Sequence, residues 1–298
     1  MPYFSEMPTF NYPDNVGGKL KLINSRNILV RAKIVDYIKN TQVAYVPYTI
    51  RDGDRPETIA YSLYGRSDLH WLVLLFNEII DPLFEWPISS HDMENLVSKT
   101  YTGKTLFVDL KRVTYTINGV LQTPNKTQRD VWYEIGGKVT QGEAEGTVLN
   151  WDPNLYKLVV RQDTTTNFKV TPNITNPFGE IRDLIHTRSD GVGINIPVGR
   201  VVQDDRYAVH HFEDVDTGDV VDHHAKIQIS DGSILDFSLL DRYAVYGVEN
   251  LILPNRNVVA VTNYQYEVNK NDAKRSIKIM RPDLIDVVLK DMRRIFSA

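Results

Sequence analysis

The segment 46–90 constrains the fold of this chain more strongly than any other, because its pattern changes from strand to helix within a few residues. Apolar residues first alternate with polar ones, which predicts a β-strand that ends near Ile50. Apolar residues then recur at helical spacing up to Gly65, where a first helix is predicted to end. A second helix is predicted over 68–77, and 86–88 is predicted to be a short return strand. We therefore expect a compact βααβ unit.

Three side chains of this segment have specific predicted roles. Asp54 and Glu57 have the D-x-x-E spacing of a capping box, which predicts that they begin the first helix rather than form a carboxylate pair for acid–base chemistry. Trp71 lies on the predicted second helix, and we expect it to be buried, because so small a unit has little core to spare.

Composition limits the class of protein without giving a function. The chain has 298 residues, which is enough to bury a core without stabilising cross-links. It has no cysteine, which excludes disulfides, thiolate zinc sites and a cysteine nucleophile. A net charge of −4 gives no field that attracts nucleic acid or an anionic membrane. The longest apolar run, 71–76, is far shorter than the roughly 18 residues of a membrane span, and 1–10 lack a signal-peptide pattern. We expect a globular protein made in the cytoplasm, with no nucleic-acid or membrane partner.

The whole chain is predicted to be an α+β protein in six parts. Prolines argue against helix and ladder pairing in 1–18, so this arm is expected to be extended, and a helix is predicted over 28–40. Short β-rich runs separated by glycines favour a small inserted barrel or sandwich. The predicted parts are an N-terminal arm and helix (1–45), the βααβ module (46–90), a connecting segment (91–130), a small antiparallel β-barrel or sandwich (131–182), a β-rich segment (183–260) and a C-terminal tail with an amphipathic helix (261–298).

The strongest helix pattern lies at the C-terminal end, over 282–296, and its apolar residues form one stripe. A helix of this length is marginal alone in water, so the stripe must be covered by this chain or by a partner. Its position near the end of the sequence favours a partner groove. We predict an assembly interface made of the stripe and of aromatic residues in the arm: Leu284, Ile285, Val288, Leu289, Met292, Ile295, Phe296, Phe4, Phe10 and Tyr12.

One hairpin has residues that suit a metal. If Thr217-Gly218 is a two-residue turn, two histidines and two carboxylates share one face: His211, His224, Glu213 and Asp222. A one-residue slip dissolves this cluster, and a solvated hairpin face is the simpler interpretation. We therefore predict no metal and no cofactor. The glycines at 191 and 193 lack the third glycine of a dinucleotide loop, and neither a P-loop nor a G-x-S-x-G motif is found, so no catalytic residue is predicted.

The string from Tyr48 to Pro82 resembles a LysM-type module. The matching features are an apolar strand followed by Gly53-Asp54, Ile59-Ala60, Tyr64-Gly65, Trp71, Asn77 and Asp81-Pro82. Together with its flanks, over 27–90 and 262–298, the sequence resembles the baseplate wedge family of T-even-type contractile-tail phages, the wedge subunit that has a LysM-like domain. The segment 131–182 lies outside this likeness and is treated as an insertion.

The resemblance implies a structural virion protein of a bacteriophage tail baseplate, assembled in the host cytoplasm, and not an enzyme. It implies that the subunit joins inner-wedge proteins and neighbouring wedges in a hetero-oligomer with sixfold repetition. The implied partners are other baseplate wedge subunits and the sheath-initiating, lysozyme-like wedge subunit. The alternative is a peptidoglycan- or glycan-binding LysM-type module that contacts the host wall near 52–55 and 77–81. The chain shows neither the tandem copies nor the hydrolase domain that accompany such a module.

Overall fold

The computed structural model describes residues 7–16, 19–27, 43–108, 114–117, 120–122, 133–153, 155–171, 183–221, 224–228, 234–238, 250–253 and 256–296. The chain divides into two compact units. The first unit combines 1–93 with 268–298, and the second consists of 94–267. Helices and antiparallel strands occur together, which is compatible with the predicted α+β class. In the part of the chain that is described, no helix is both long and apolar enough to cross a membrane.

The elements are numbered in chain order. The strands are β1 (Thr9–Val16), β2 (Lys19–Arg26), β3 (Tyr45–Thr49), β4 (Lys104–Val108), β5 (Thr114–Ile117), β6 (Val120–Gln122), β7 (Lys138–Gln141), β8 (Ala144–Asp152), β9 (Lys157–Gln162), β10 (Leu184–Thr187), β11 (Gly193–Ile196), β12 (Val198–Val202), β13 (Val209–Asp214), β14 (Val220–Val221), β15 (His224–Gln228), β16 (Ile234–Ser238), β17 (Asn250–Leu253), β18 (Arg256–Thr262) and β19 (Ser276–Met280). The α-helices are α1 (Pro56–Tyr64), α2 (His70–Phe76), α3 (Pro82–Glu85), α4 (Ser90–Thr100), α5 (Asn263–Asp272) and α6 (Ile285–Phe296). Short 3₁₀ turns occupy Ser67–Leu69, Asp205–Tyr207, Ala273–Arg275 and Pro282–Leu284.

The N-terminal arm is a β-hairpin and not an extended tail. Strands β1 and β2 pair antiparallel, from Thr9 opposite Arg26 to Val16 opposite Lys19. The prediction that prolines prevent ladder pairing here is wrong, because both strands of a two-stranded ribbon are edge strands, and an edge tolerates the missing N–H of Pro13. The predicted helix over 28–40 lies outside the described residues.

Helix α1 begins one residue later than the sequence predicts. Its N-cap is Arg55, because Pro56 takes the first helical position, which suits its fixed φ. The Arg55 backbone N–H donates to the Thr58 hydroxyl (2.9 Å). The Asp54 carboxylate instead accepts from the Tyr48 hydroxyl and the Arg51 N–H, both at 2.9 Å. The capping-box role predicted for Asp54 and Glu57 is therefore wrong, and Asp54 fixes the turn that precedes the helix.

The return strand of the module comes from the far end of the chain. Strand β19 pairs antiparallel with β3, with Ile277 opposite Tyr48. The predicted strand at 86–88 is not formed, since Trp86 follows α3 directly and buries its ring while its indole N–H donates to the Asp54 carbonyl (2.9 Å). Local sequence order suggested a partner close by, but 276–280 provides a longer strand, and Pro87 has no N–H to donate to a ladder.

One side-chain amide joins the second helix of the module to this distant strand. Asn77, just after α2, donates from Nδ2 to the carbonyls of Val73 and Lys278, both at 2.8 Å. Its Oδ1 accepts from the Lys278 N–H at 2.8 Å. Tyr64 adds a second link by donating to the Met280 carbonyl (3.1 Å), and burial raises the pKa of Tyr64 to about 12. The hydroxyl is therefore a donor throughout the neutral range.

The first unit has two apolar clusters that use both halves of its sequence. One contains Ile50, Ile59, Ala60, Val73, Trp86, Ile277 and Ile279. The other contains Leu69, Trp71, Leu72, Phe76, Met280, Ile285, Leu289 and Met292. The predicted burial of Trp71 is confirmed, since the residue is 8% exposed.

The second unit contains a nine-stranded antiparallel sheet among its described residues, in the order β12-β4-β9-β8-β7-β10-β11-β5-β6. Strand β4 lies between β12 and β9, so 131–182 is not a separate barrel but part of a sheet with strands before and after it. A four-stranded sheet, β14-β13-β18-β17, supplies Phe212 and Val258 to the same apolar cluster that contains Leu106 and Leu158. The predicted boundaries at 131 and 182 therefore do not separate packing units.

Replacement of Trp71 by alanine should destabilise the first unit strongly. The ring lies in an apolar cluster, and removal of a buried large aromatic costs about 3–5 kcal/mol of unfolding free energy. The matched control is Tyr61→Ala on α1, where the side chain is 66% exposed and a change within about 0.5 kcal/mol is expected. Urea unfolding of the full chain measures both, and equal midpoints for the two variants would contradict the core role of Trp71.

A fragment limited to 40–100 should not fold by itself. It lacks β19 and α6, so β3 has no partner strand and the two apolar clusters lose Ile277, Met280 and Leu289. Far-UV circular dichroism and amide NMR dispersion of the fragment measure this. Addition of a 262–298 peptide should restore dispersed signals. A cooperatively folded fragment without the peptide would contradict the shared core.

Candidate functional site

The C-terminal helix lies against the module of its own chain. The side chains of Ile285, Leu289 and Met292 are 7%, 8% and 7% exposed, and they pack in the cluster that contains Trp71 and Leu72. Leu284 and Val288 are partly buried against the same cluster. The described part of the stripe, over 284–292, is therefore covered by this chain, which corrects the prediction that it is kept for a partner groove. The side chains of Ile295 and Phe296 lie outside the described residues.

The aromatic residues predicted for the arm are on the hairpin. Phe10 is 45% exposed and Tyr12 is 53% exposed, and their rings meet edge to face with centroids 6.3 Å apart. Phe4 lies outside the described residues. The antiparallel register places Ile23 opposite Tyr12. Lys21 and Lys19, two and four positions earlier on β2, share that face, and Asp14 lies opposite Lys21. This face of the hairpin thus combines exposed apolar side chains with charged ones of both signs.

A second apolar surface surrounds α3, and it was not predicted from the sequence. Ile80, Leu83 and Phe84 are 72%, 77% and 71% exposed. The turn is built by two carboxylates: Asp81 Oδ1 accepts from the Leu83 N–H (3.0 Å), and Glu85 Oε2 accepts from the N–H groups of Ile80 (2.7 Å) and Asp81 (3.3 Å). The available sequence signal was the apolar pairs on both sides of Asp81-Pro82, which do not fit the helical stripe before them.

The loops that correspond to the glycan-binding positions of LysM-type modules are engaged within the module. The Asp52 carboxylate accepts from the Ser90 N–H at 3.0 Å, and the Asn77 amide holds β19 through both of its polar atoms. The carboxylates of Asp54 and Asp81 accept backbone N–H groups of their own turns. The side chains near 52–55 and 77–81 therefore serve the turns and strands of the module.

The second unit contains a polar cavity of about 510 Å³. A buried ion pair lies at its wall, with Lys157 Nζ 3.3 Å from Asp205 Oδ1. Asp205 also accepts from the Thr105 hydroxyl (2.5 Å), and its backbone carbonyl accepts from Asn263 Nδ2 (2.6 Å). The network joins β4, β9, the 3₁₀ turn at 205–207 and the start of α5. Its charges are paired with one another, as expected of a network that holds chain segments together.

The same cavity is lined by His210, which stacks on the ring of Tyr266 with centroids 3.9 Å apart. Its Nδ1 lies 2.8 Å from Nδ1 of His211, whose Nε2 lies 2.7 Å from Glu213 Oε1. Burial lowers the pKa of His210, and the neighbouring His211 lowers it further. Tyr101 donates to Glu267 (2.9 Å), and burial raises its pKa, so this phenol also remains neutral.

The strand pairing assumed for the four-residue metal cluster is not the one that the structure has. Strand β13 pairs with β14 so that Phe212 lies opposite Val221 and Glu213 opposite Val220. His224 begins β15, which pairs with β16 in a separate ribbon. Asp222 lies outside the described residues, and among those described no group of three or more suitable side chains is placed to hold a metal. The register assumed for the hairpin was wrong by two positions, and turn residues alone did not define it.

Comparison with known proteins gives a family match over part of the chain. Residues 11–157, just under half of the sequence, match the model of the family described as base plate wedge protein 53. The chain is also 36% identical over 53 residues to the baseplate wedge protein gp53 of Enterobacteria phage T4. That alignment covers 17% of this chain and 27% of the phage T4 protein, so the chain spans about a quarter of the length of this curated relative.

The match confirms the resemblance to the baseplate wedge family. Its bounds differ from those inferred from the sequence. The matched range begins in β1 and extends to 157, inside the segment 131–182 that was treated as an insertion. The segment 262–298, which was included in the likeness, lies outside the matched range.

Leu289→Asp should unfold the first unit. We do not expect a folded protein that fails only to assemble with its partners. The change removes buried apolar area worth about 1.5–3 kcal/mol and places a carboxylate without a partner in the cluster. Val287→Asp on the same helix is the matched control, because Val287 is exposed. Limited proteolysis and thermal unfolding compare the two, and a Leu289→Asp protein as stable as the control would contradict the packing of α6.

Asp205→Asn should destabilise the second unit, because it leaves the buried Lys157 ammonium without its counter-charge. Breaking a buried pair in this way costs about 3–5 kcal/mol of unfolding free energy. The double change Lys157→Met with Asp205→Leu should recover part of this loss, since no charge is then buried. Asp216→Asn, at an exposed position after β13, is the control. Thermal unfolding measures all three, and an unchanged Asp205→Asn midpoint would contradict the structural role of the pair.

Proposed function

We propose that this chain, related over 11–157 to base plate wedge protein 53, is a structural subunit of a phage baseplate wedge that joins inner-wedge proteins and neighbouring wedges during assembly. The single observation that carries this proposal is the family match, which covers the hairpin from residue 11 onward and the whole of β3 to α4. The expected location is the tail baseplate of the virion. The expected partners are other wedge subunits, including the sheath-initiating, lysozyme-like one, in a complex with sixfold repetition.

We interpret the module as LysM-like, with the order β3, α1, α2 and β19. Two helices follow the first strand, and the second strand pairs with the first in antiparallel sense, as the resemblance implies. The module here is a packing block. Its loop side chains support the turns, and its helices support a core shared with the C-terminal segment.

The surfaces proposed for assembly are the two exposed apolar ones. They are the hairpin face with Phe10 and Tyr12 and the surface of α3 with Ile80, Leu83 and Phe84. An exposed apolar patch flanked by polar residues is typical of a protein–protein contact. Phe10 and Tyr12 thus retain the role predicted from the sequence, whereas the described part of the α6 stripe is buried in the core of the module.

Co-expression with the inner-wedge subunits tests this function. We expect the wild-type chain to co-purify with them and to enter particles with sixfold symmetry in negative-stain images. Leu83→Asp should reduce incorporation, because it places a charge on an exposed apolar surface, while Val287→Asp should enter normally. A chain that never co-purifies with wedge subunits would overturn the proposed role. Saturable binding to insoluble peptidoglycan, competed by chitin fragments, would favour the glycan-binding alternative instead.

A further inference from the structure

Two adjacent histidines of β13 share one hydrogen bond. Nδ1 of His210 lies 2.8 Å from Nδ1 of His211. A hydrogen bond between two ring nitrogens needs one N–H and one lone pair, whichever tautomers the two rings adopt. When both rings are protonated, both Nδ1 atoms carry a hydrogen and this bond is lost. The pair can therefore hold one added proton but not two.

Each ring of the pair has a further partner that fixes its position. Nε2 of His211 lies 2.7 Å from Oε1 of Glu213, and the carboxylate favours a proton on that nitrogen. His210 stacks on the ring of Tyr266, a residue of α5, with centroids 3.9 Å apart and planes 9° apart. The bond to His211 thus fixes the orientation of the ring through which β13 contacts α5.

The surroundings of His210 disfavour a charge on its ring. Burial lowers the pKa of His210 most, followed by the neighbouring His211 and by the ammonium of Lys157 on β9. The carboxylates of Glu267 on α5 and Asp152 on β8 act in the opposite direction and are the smaller effects. The second proton is therefore excluded from the pair while the ring stays in place.

The charges around the pair are themselves held by other groups. The Lys157 ammonium is 3.3 Å from Asp205, and Glu267 accepts from the Tyr101 hydroxyl at 2.9 Å. A charged imidazole gains attraction from the face of Tyr266. It also loses its bond to the neighbouring histidine and lies half-buried beside a second positive charge, so leaving the site is the way to relieve both costs.

We propose that the His210–His211 pair is an acid-sensitive latch that holds β13 to α5. The ordinary pKa of a histidine is about 6.5, so below that pH the opened segment takes up a proton that the closed latch excludes. The stability of the closed latch is complete above this pH and declines as the pH falls. For one excluded proton, the equilibrium constant for opening rises by up to about tenfold per pH unit. This inference does not rest on the proposed wedge function.

Nitrogen NMR of the full-length chain, labelled with ¹⁵N in its histidines, tests the shared bond directly. At neutral pH we expect a ¹⁵N–¹⁵N coupling between Nδ1 of His210 and Nδ1 of His211, because such a coupling is transmitted through an N–H···N bond. On acidification the coupling should disappear together with the opening of β13 and α5. A coupling that is absent at neutral pH, or one that persists after the two elements have opened, overturns the latch.

Hydrogen exchange with peptide-resolved mass spectrometry measures the opening itself. It is followed in peptides of β13 and α5 below neutral pH, after correction for the intrinsic pH dependence of amide exchange. In the wild type the opening constant should rise by up to about tenfold per pH unit below about pH 6.5. His210→Phe keeps an aromatic ring on Tyr266 but cannot titrate, so its opening constant should rise less steeply over the same range.

Two further variants make the comparison decisive. His210→Gln also lacks a titrating ring and introduces no larger apolar group, so it should show the same shallow dependence if the phenylalanine variant does not fold. His91→Phe, at an exposed position on α4, is the matched control and should follow the wild type. A wild type no steeper than the folded His210 variant, or a control as shallow as that variant, overturns the proposed latch.

Discussion

The first unit depends on the pairing of two strands from opposite ends of the sequence. Strand β3 finds its partner in β19, and the Asn77 amide holds the two segments together across a separation of 201 positions. The entropic cost of closing so long a loop grows only with the logarithm of its length. The closure completes the apolar clusters, and the free energy that they contribute is proportional to the apolar area that they bury. The sequence can therefore contain a second unit, 94–267, between the two segments of the first unit, and the first unit still keeps its core.

This pairing also decides which surfaces are left for other molecules. Strand β19 leads directly into the turn at 282–284 and α6, so the apolar stripe of that helix is brought onto α2 and covers Trp71 and Leu72. A helix used in this way stabilises the module and is not available to a partner. Exposed apolar side chains remain on the hairpin and around α3, where short elements have too little surrounding structure to bury them.

The second unit combines its strands in a different way. Strand β4 enters the sheet between β12 and β9, and the buried pair of Lys157 and Asp205 links this region to the start of α5. A buried pair is a costly way to gain stability, since desolvation offsets most of the attraction. We expect it to help fix which segments meet, because an unpaired charge is unfavourable anywhere else in the core.

Local features of this protein follow directly from its sequence. It located α1 and its end at Gly65, placed Trp71 in a core, indicated strands beyond 131, and carried the likeness to the wedge family in 48–82. Each of these depends on residues a few positions apart, where propensity and periodicity act directly. The tertiary structure alone decided that β19 replaces 86–88 as the return strand, that β13 pairs with β14 two positions away from the assumed register, and that the stripe of α6 lies inside the module. In each case, distant segments compete for the same partner. The free energy of burial that decides between them depends on several segments together, so no single segment of the sequence predicts it.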